Sequence, residues 1–179
     1  MPMAGKNIAP KWAAVIVIML CAAAVTACAQ SKEADDIKGL YGNYVFEKQI
    51  YMNPLSSFTA TGGYKEYYTL TEDSLVLTDD LTGKQQKIAG KYEKGGVDEK
   101  RFADGFFPGM DVPDISGYKD GRQYTFTDAD GAVRYRLYLL DDQIWLACIH
   151  NDKANAEKSE YIWSIYKIAR FDGEIPSKV

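Results

Sequence analysis

Between residues 43 and 170 the sequence falls into eight runs of strand length, rich in Tyr, Val, Ile, Phe, Leu and Thr and separated by Gly, Asp and Asn clusters. The runs are residues 43–52, 65–71, 74–79, 84–93, 122–128, 132–140, 143–150 and 161–170. Most connectors between them are hairpin-sized: "ED" at 72–73, "LTG" ending in Gly83, "ADG" ending in Gly131 and "DD" at 141–142. Connections this short join antiparallel neighbours. The expected fold class is therefore all-β, an antiparallel up-and-down eight-stranded barrel, because closure removes the strand edges an open sheet must protect. A two-sheet β-sandwich fits the same spacing and is the alternative. An eight-stranded barrel is wide enough to be filled by its own side chains or to hold one small ligand.

Alternation orients some of these runs. In "AVRYRLYLL" one face carries Val133, Tyr135, Leu137 and Leu139, while the other opens with Arg134 and Arg136, so the first set is expected in a core and the second in water. The last run, "YIWSIYKIAR", is partly apolar on both faces, and period alone does not orient it. Helix signals are weak. "NDKANAEKSE" has helix formers without an apolar stripe and reads as a solvated loop with at most one helical turn.

Two connectors are longer. Residues 94–121 lack continuous periodicity and set Phe102, Phe106, Phe107, Met110, Val112 and Ile115 among Asp104, Asp111 and Asp114. Long loops in compact domains are commonly functional. Phe102, Phe106, Phe107, Met110 and Ile115 are accordingly the candidate ligand-binding residues, forming either a lid over one barrel mouth or a plug for one end of the core. Residues 51–64 form the second long connector, which Asn53-Pro54 should turn out of the first strand.

Catalytic and metal-binding constellations are sparse, and no catalytic residue, metal site or cofactor is assigned. "DADG" at 128–131 begins like a calcium loop, but Leu139 stands where the bidentate glutamate belongs, so a hairpin turn is expected. His150 is the only histidine, which excludes a multi-histidine metal site, and no strained serine turn accompanies it. The chain reads as a non-enzyme. A formal net charge of -4 argues against a nucleic-acid partner.

The N-terminus has a different grammar. Lys6 and Lys11 precede the apolar residues 12–29, and no acidic residue occurs before Glu33. The apolar run is just long enough to be a candidate membrane span. Its short core "WAAVIVIML", however, fades into the small residues of "CAAAVTA", as in an export signal ahead of its cleavage site. Val25-Thr26-Ala27-Cys28 resembles the lipobox of bacterial lipoproteins: an aliphatic residue, two small ones and the cysteine that receives the lipid.

That resemblance implies a signal peptide over residues 1–27, a lipidated tether over 28–38 and a globular domain over 39–179. Cys28 would carry a diacylglyceryl group and hold the protein to the cell membrane, facing outside the cytoplasm. Each buried CH₂ contributes about 0.8 kcal/mol, and two chains anchor stably where one does not. Cleavage would remove Lys6, Lys11 and Cys21, move the formal charge from -4 to -6, and leave Cys148 as the remaining free thiol. That thiol lies in an apolar run expected to bury it.

The domain itself is similar in strand count and length to the lipocalin-like group of small barrels. Gly42-Asn43-Tyr44 stands where lipocalins have Gly-x-Trp, with tyrosine in place of the indole, and Arg170 stands near the place of the family's late arginine. This resemblance implies that a small apolar or amphipathic ligand occupies the barrel. The alternative partner is an envelope protein or glycan bound on the outer surface of a solid barrel.

Overall fold

A computed structural model describes residues 37–56, 65–151 and 159–176. Among the described residues there are eight strands: β1 (Gly42–Met52), β2 (Glu66–Leu70), β3 (Ser74–Asp79), β4 (Gln85–Gly96), β5 (Gly121–Asp128), β6 (Val133–Leu140), β7 (Gln143–Asn151) and β8 (Glu160–Arg170). One short helix, α1 (Glu99–Ala103), lies between β4 and β5. Each strand pairs antiparallel with the next, and β8 returns to pair with β1. The result is a closed up-and-down barrel, as the strand count and short connectors predict, and the sandwich alternative is excluded by the continuous ring of hydrogen bonds. All eight strands lie in the unit Leu40–Val179. Residues 1–36, with Cys28 and the signal and tether expected there, lie outside the described residues, as do 152–158 of the polar connector.

Following the registers round the ring separates an inner from an outer wall, because facing residues share a face of the sheet. Tyr44 faces Tyr68, and Tyr68 faces Leu77. Tyr124 faces Leu137, Leu137 faces Leu146, and Leu146 faces Tyr166. Tyr44, Tyr68, Leu70, Leu75, Tyr124, Phe126, Leu137 and Leu146 are all fully buried. On the opposite face of β4, Lys87, Lys91 and Glu93 are exposed. The buried set is therefore the barrel interior.

A cluster around Tyr44 closes one end of that interior. Its hydroxyl donates to Leu40 O at 2.7 Å, and the Arg170 guanidinium lies over its ring, 4.7 Å from the centroid. Arg170 Nη1 also donates to Tyr41 O at 2.8 Å. Arg170 is exposed, and an exposed cation over an aromatic face is worth about 0.5–1 kcal/mol. Gly42 permits the approach: its φ is +139°, and a Cβ there would sit 2.4 Å from Arg170 Nη1. The Gly42, Tyr44 and Arg170 pattern of the sequence thus meets in space, with tyrosine serving in the aromatic position.

The outer wall of β6–β8 departs from the sequence expectation. Tyr135, Leu137 and Leu139 share one face as expected, but the register shift between Phe126 and Thr127 turns Val133 to the other, and that face, with Arg136, Tyr138 and Leu140, does not meet water. Tyr138 and Leu140 are fully buried, together with Trp145, Ala147 and Ile149 of β7 and Ile162 and Ile165 of β8. Residues 97–120 cover them as a strap, and Phe102, Phe106 and Ile115 from this strap join the same cluster.

Local chemistry builds the strap. Asp98 caps α1 by accepting from Arg101 N at 2.9 Å, which places Phe102 on the inward side. Phe102 stands edge-on to Tyr138 at 5.1 Å, Phe106 edge-on to Tyr51 at 4.9 Å, and Tyr118 edge-on to Trp145 at 5.6 Å. Gly105 O accepts from Ile162 N at 2.8 Å, tying the strap to β8. A Cβ on Gly105 would meet Ile162 Cδ1 at 2.8 Å and Phe102 O at 3.0 Å, so glycine permits this contact. The strap also explains β8. A register shift between Cys148 and Ile149 on the β7 side turns Ser164, Tyr166 and Ile168 inward, while both Ile162 and Ile165 face the strap.

The domain therefore has two apolar cores, one inside the barrel and one between barrel and strap. Leu146→Ala is expected to destabilise by about 3 kcal/mol and Phe102→Ala by about 3–5 kcal/mol. Lys87→Ala should stay within about 0.5 kcal/mol. Urea unfolding checks all three, and a Phe102→Ala effect no larger than that of Lys87→Ala would contradict the second core.

Candidate functional site

Among the described residues, the barrel interior is packed around Tyr44 and open at the opposite end, that of the β3–β4 and β5–β6 turns. Side chains fix the described turns on this rim. Asn53 is buried, donates from its backbone N to Trp163 O at 2.8 Å, and accepts at Oδ1 from Leu55 N at 2.9 Å, giving the expected turn out of β1. Asp128 Oδ1 accepts from Asp130 N at 3.0 Å and Ala132 N at 2.9 Å, with Gly131 at φ +79°. "DADG" is thus a hairpin turn, and its leading carboxylate pairs with Arg134. Among the described residues no group of three or more His, Cys, Asp or Glu is placed to hold a metal ion.

Two adjoining hollows share Cys148 as a common wall. One, of about 310 Å³, is lined by Met52, Ser56, Glu66, Leu77, Trp163, Ser164 and Tyr166 with Cys148. The other, of about 300 Å³, is lined by Gln86, Ile88, Asp128, Arg134, Tyr135 and Ile149 with Cys148. Each is near the lower end of the range for small-molecule sites. Together they form an open cup of mixed polar and apolar lining.

The thiol and phenol groups of the cup keep their protons. Burial pushes the Cys148 thiol up to about 12, although a hydrogen bond with Ser164 pulls the other way and the Glu66 charge adds to the rise. Burial likewise raises Tyr166 to about 12 and raises Tyr135, with Cys148 and Glu66 contributing to both. Glu66 is held by Tyr68, whose hydroxyl donates to Oε2 at 2.7 Å. Asp128 titrates below the ordinary carboxylate range, chiefly through its hydrogen bond with Arg134. A neutral thiol is a poor nucleophile. His150 packs between Tyr161 and Trp163 on the rim, with ring centroids at 5.1 and 5.0 Å.

The five candidate ligand-binding residues are brought together, but not around the cup. Phe102, Phe106 and Ile115 are buried against the outer wall, and Met110 packs beside them. Phe107 reaches the β8 end of the rim, edge-on to Tyr161 at 5.2 Å. None of the five lines either hollow. The sequence did not single out Glu66, Ser164, Tyr166, Asp128 or Arg134 as a site. The signal for Glu66 was a charged residue in step with Tyr68 and Leu70, whose inward direction is visible only once the register is known.

In comparisons with known proteins, no family model, curated protein or solved structure matches this chain. What the geometry defines is the class: a closed eight-stranded antiparallel barrel with one packed and one hollow end. No helix among the described residues is long and apolar enough to cross a membrane.

At pH 8, iodoacetamide should leave the Cys148 peptide of the folded protein essentially unlabelled while labelling it in urea, as peptide mass mapping would show. The raised thiol pKa also sets a sign for stability. Its contribution is complete below the thiol's ordinary value of 9.0 and is lost as pH rises towards 12, because the unfolded chain releases a proton that the fold retains. Urea midpoints should therefore fall across that window, and less steeply for Cys148→Ala.

Proposed function

We propose that this protein is a lipid-anchored lipoprotein of the cell envelope that carries a small amphipathic ligand in its barrel, without catalysing a reaction on it. The open hollow of about 310 Å³ at the end of the barrel opposite Tyr44 carries this reading. It is large enough for one compact molecule and too small for a two-chain lipid. The lipobox resemblance at Val25-Thr26-Ala27-Cys28, with Lys6 and Lys11 ahead of the apolar run, supports the anchor and its position outside the cytoplasm.

Attachment through an outer aromatic face, the alternative, has less support. Tyr138 and Trp145, the large aromatics on the outer wall of β6 and β7, are buried beneath the strap. Among the described residues, the exposed large apolar side chains are Leu55, Leu81 and Val112, which lie on three separate segments. Single exposed apolar residues are ordinary on protein surfaces.

In lipid nanodiscs, with empty discs as reference, the full chain should bind a naphthylamine dye saturably. Leu77→Trp, which fills the cup, should abolish that binding. Saturable binding unchanged by Leu77→Trp, or no saturable binding at all, would overturn carriage in the barrel. Cys28→Ser should remove metabolic labelling by palmitate and release the protein from the membrane fraction; retention of both would overturn the anchor.

A further inference from the structure

Two irregularities in the strand ladders fall at the rim of the cup. In β6 the register steps from Tyr135, opposite Phe126, to Val133, opposite Thr127, so Arg134 is left without an opposite number on β5. In β8 it steps from Ser164, opposite Cys148, to Ile162, opposite Ile149, so Trp163 is left without one on β7. A bulge of this kind bends its strand and re-aims the extra side chain. Here both extra side chains line the cup: Arg134 borders the hollow of about 300 Å³, and Trp163 the adjoining one of about 310 Å³. From this pair we infer that the cup takes a short neutral glycan, with the C–H face of one sugar ring against the Trp163 indole and ring hydroxyls bonded to the Arg134 guanidinium. The inference rests on the cup being the ligand site.

The chemistry of the two side chains favours this class over a charged or wholly apolar one. A sugar ring presents a C–H face and an edge of adjacent hydroxyls, so it needs a flat apolar surface beside planar hydrogen-bonding groups. Trp163 is half-buried, and His150 packs on it at 5.0 Å and 32°, which holds the indole at the rim as a fixed platform. A guanidinium carries five N–H donors in a rigid fork, and Arg134 donates from Nε to Asp128. The pair thus offers donors whose charge is already matched. Gln86 stands in the same hollow and supplies an amide that both donates and accepts. An anionic ligand would compete with Asp128 for Arg134, and an apolar one would strip water from Arg134 and Gln86 with no bond in return.

Ligand-observed NMR on the full chain in phosphatidylcholine nanodiscs, with empty discs as reference, tests this. The probes are the neutral disaccharides maltose, cellobiose, lactose and N,N′-diacetylchitobiose, the acidic disaccharide cellobiouronate, and cyclohexylmethanol as a ring without the hydroxyl edge. At least one neutral disaccharide should bind saturably and more tightly than cellobiouronate or cyclohexylmethanol. Trp163→Ala should cost that sugar roughly ten-fold in affinity, and Trp163→Tyr, which keeps a ring at the rim, should restore most of it. Arg134→Gln should cost roughly three- to ten-fold through lost hydrogen bonds.

Equal or tighter binding of cellobiouronate or cyclohexylmethanol by the unaltered chain would overturn the inference, and this result does not depend on any variant folding. So would disaccharide binding that Trp163→Ala, Arg134→Gln or Leu77→Trp leaves unchanged. If no neutral disaccharide binds while the naphthylamine dye does and Leu77→Trp removes it, the cup remains a ligand site and the glycan inference alone fails. If neither the dye nor any disaccharide binds, both fail.

Discussion

The pairing of β8 with β1 is the contact on which the rest of this domain depends. It turns a meander with two exposed edges into a ring, and it brings Arg170 over Tyr44, residues far apart in sequence. Because the pairing is long-range, its closure entropy is recovered only when the inner wall packs. Tyr44, Tyr68, Leu75, Phe126 and Leu146 supply that packing. Gly42 is part of the same device, since a side chain there would collide with the arginine.

Closure also explains why one end is hollow. Near the seam the buried rings of Tyr44 and Phe126 fill the cross-section, and Arg170 covers Tyr44 from the exposed side. At the opposite end Tyr135 and Tyr166 are accompanied by the shorter inward groups Glu66, Leu77, Cys148 and Ser164. A barrel of this strand number has little space to spare, so that difference in side-chain size decides between plug and cup. The strap adds rigidity from outside: Phe102 and Phe106 hold β6, β7, β8 and β1 together across their outer faces.

The barrel was legible in the sequence because short connectors and period-two runs constrain one another. Turns such as 72–73 and 141–142 leave little choice but antiparallel neighbours, and eight neighbours can close. The strap was not legible, because its evidence is split between two places. Tyr138 and Leu140 follow Arg134 and Arg136 on one face, so the arginines suggested a wet surface before the strap supplied a dry one. Helix α1 is too short to show a period, and its signature is only Asp98 as cap with Phe102 and Phe106 four residues apart. The cup was hidden for a related reason: Glu66, Asp128 and Tyr166 lie on separate strands, and only the ring's register brings them to one end.

The central claim is that the wide end of a closed barrel is an unfilled ligand site, and the electron density inside a crystallised full chain tests it most directly. Between Leu77, Cys148 and Tyr166 the account predicts a separate body of density, either ordered solvent or a bound small molecule, within a hollow of about 310 Å³. Continuous protein density through that volume, with side chains filling the barrel from end to end, would contradict it.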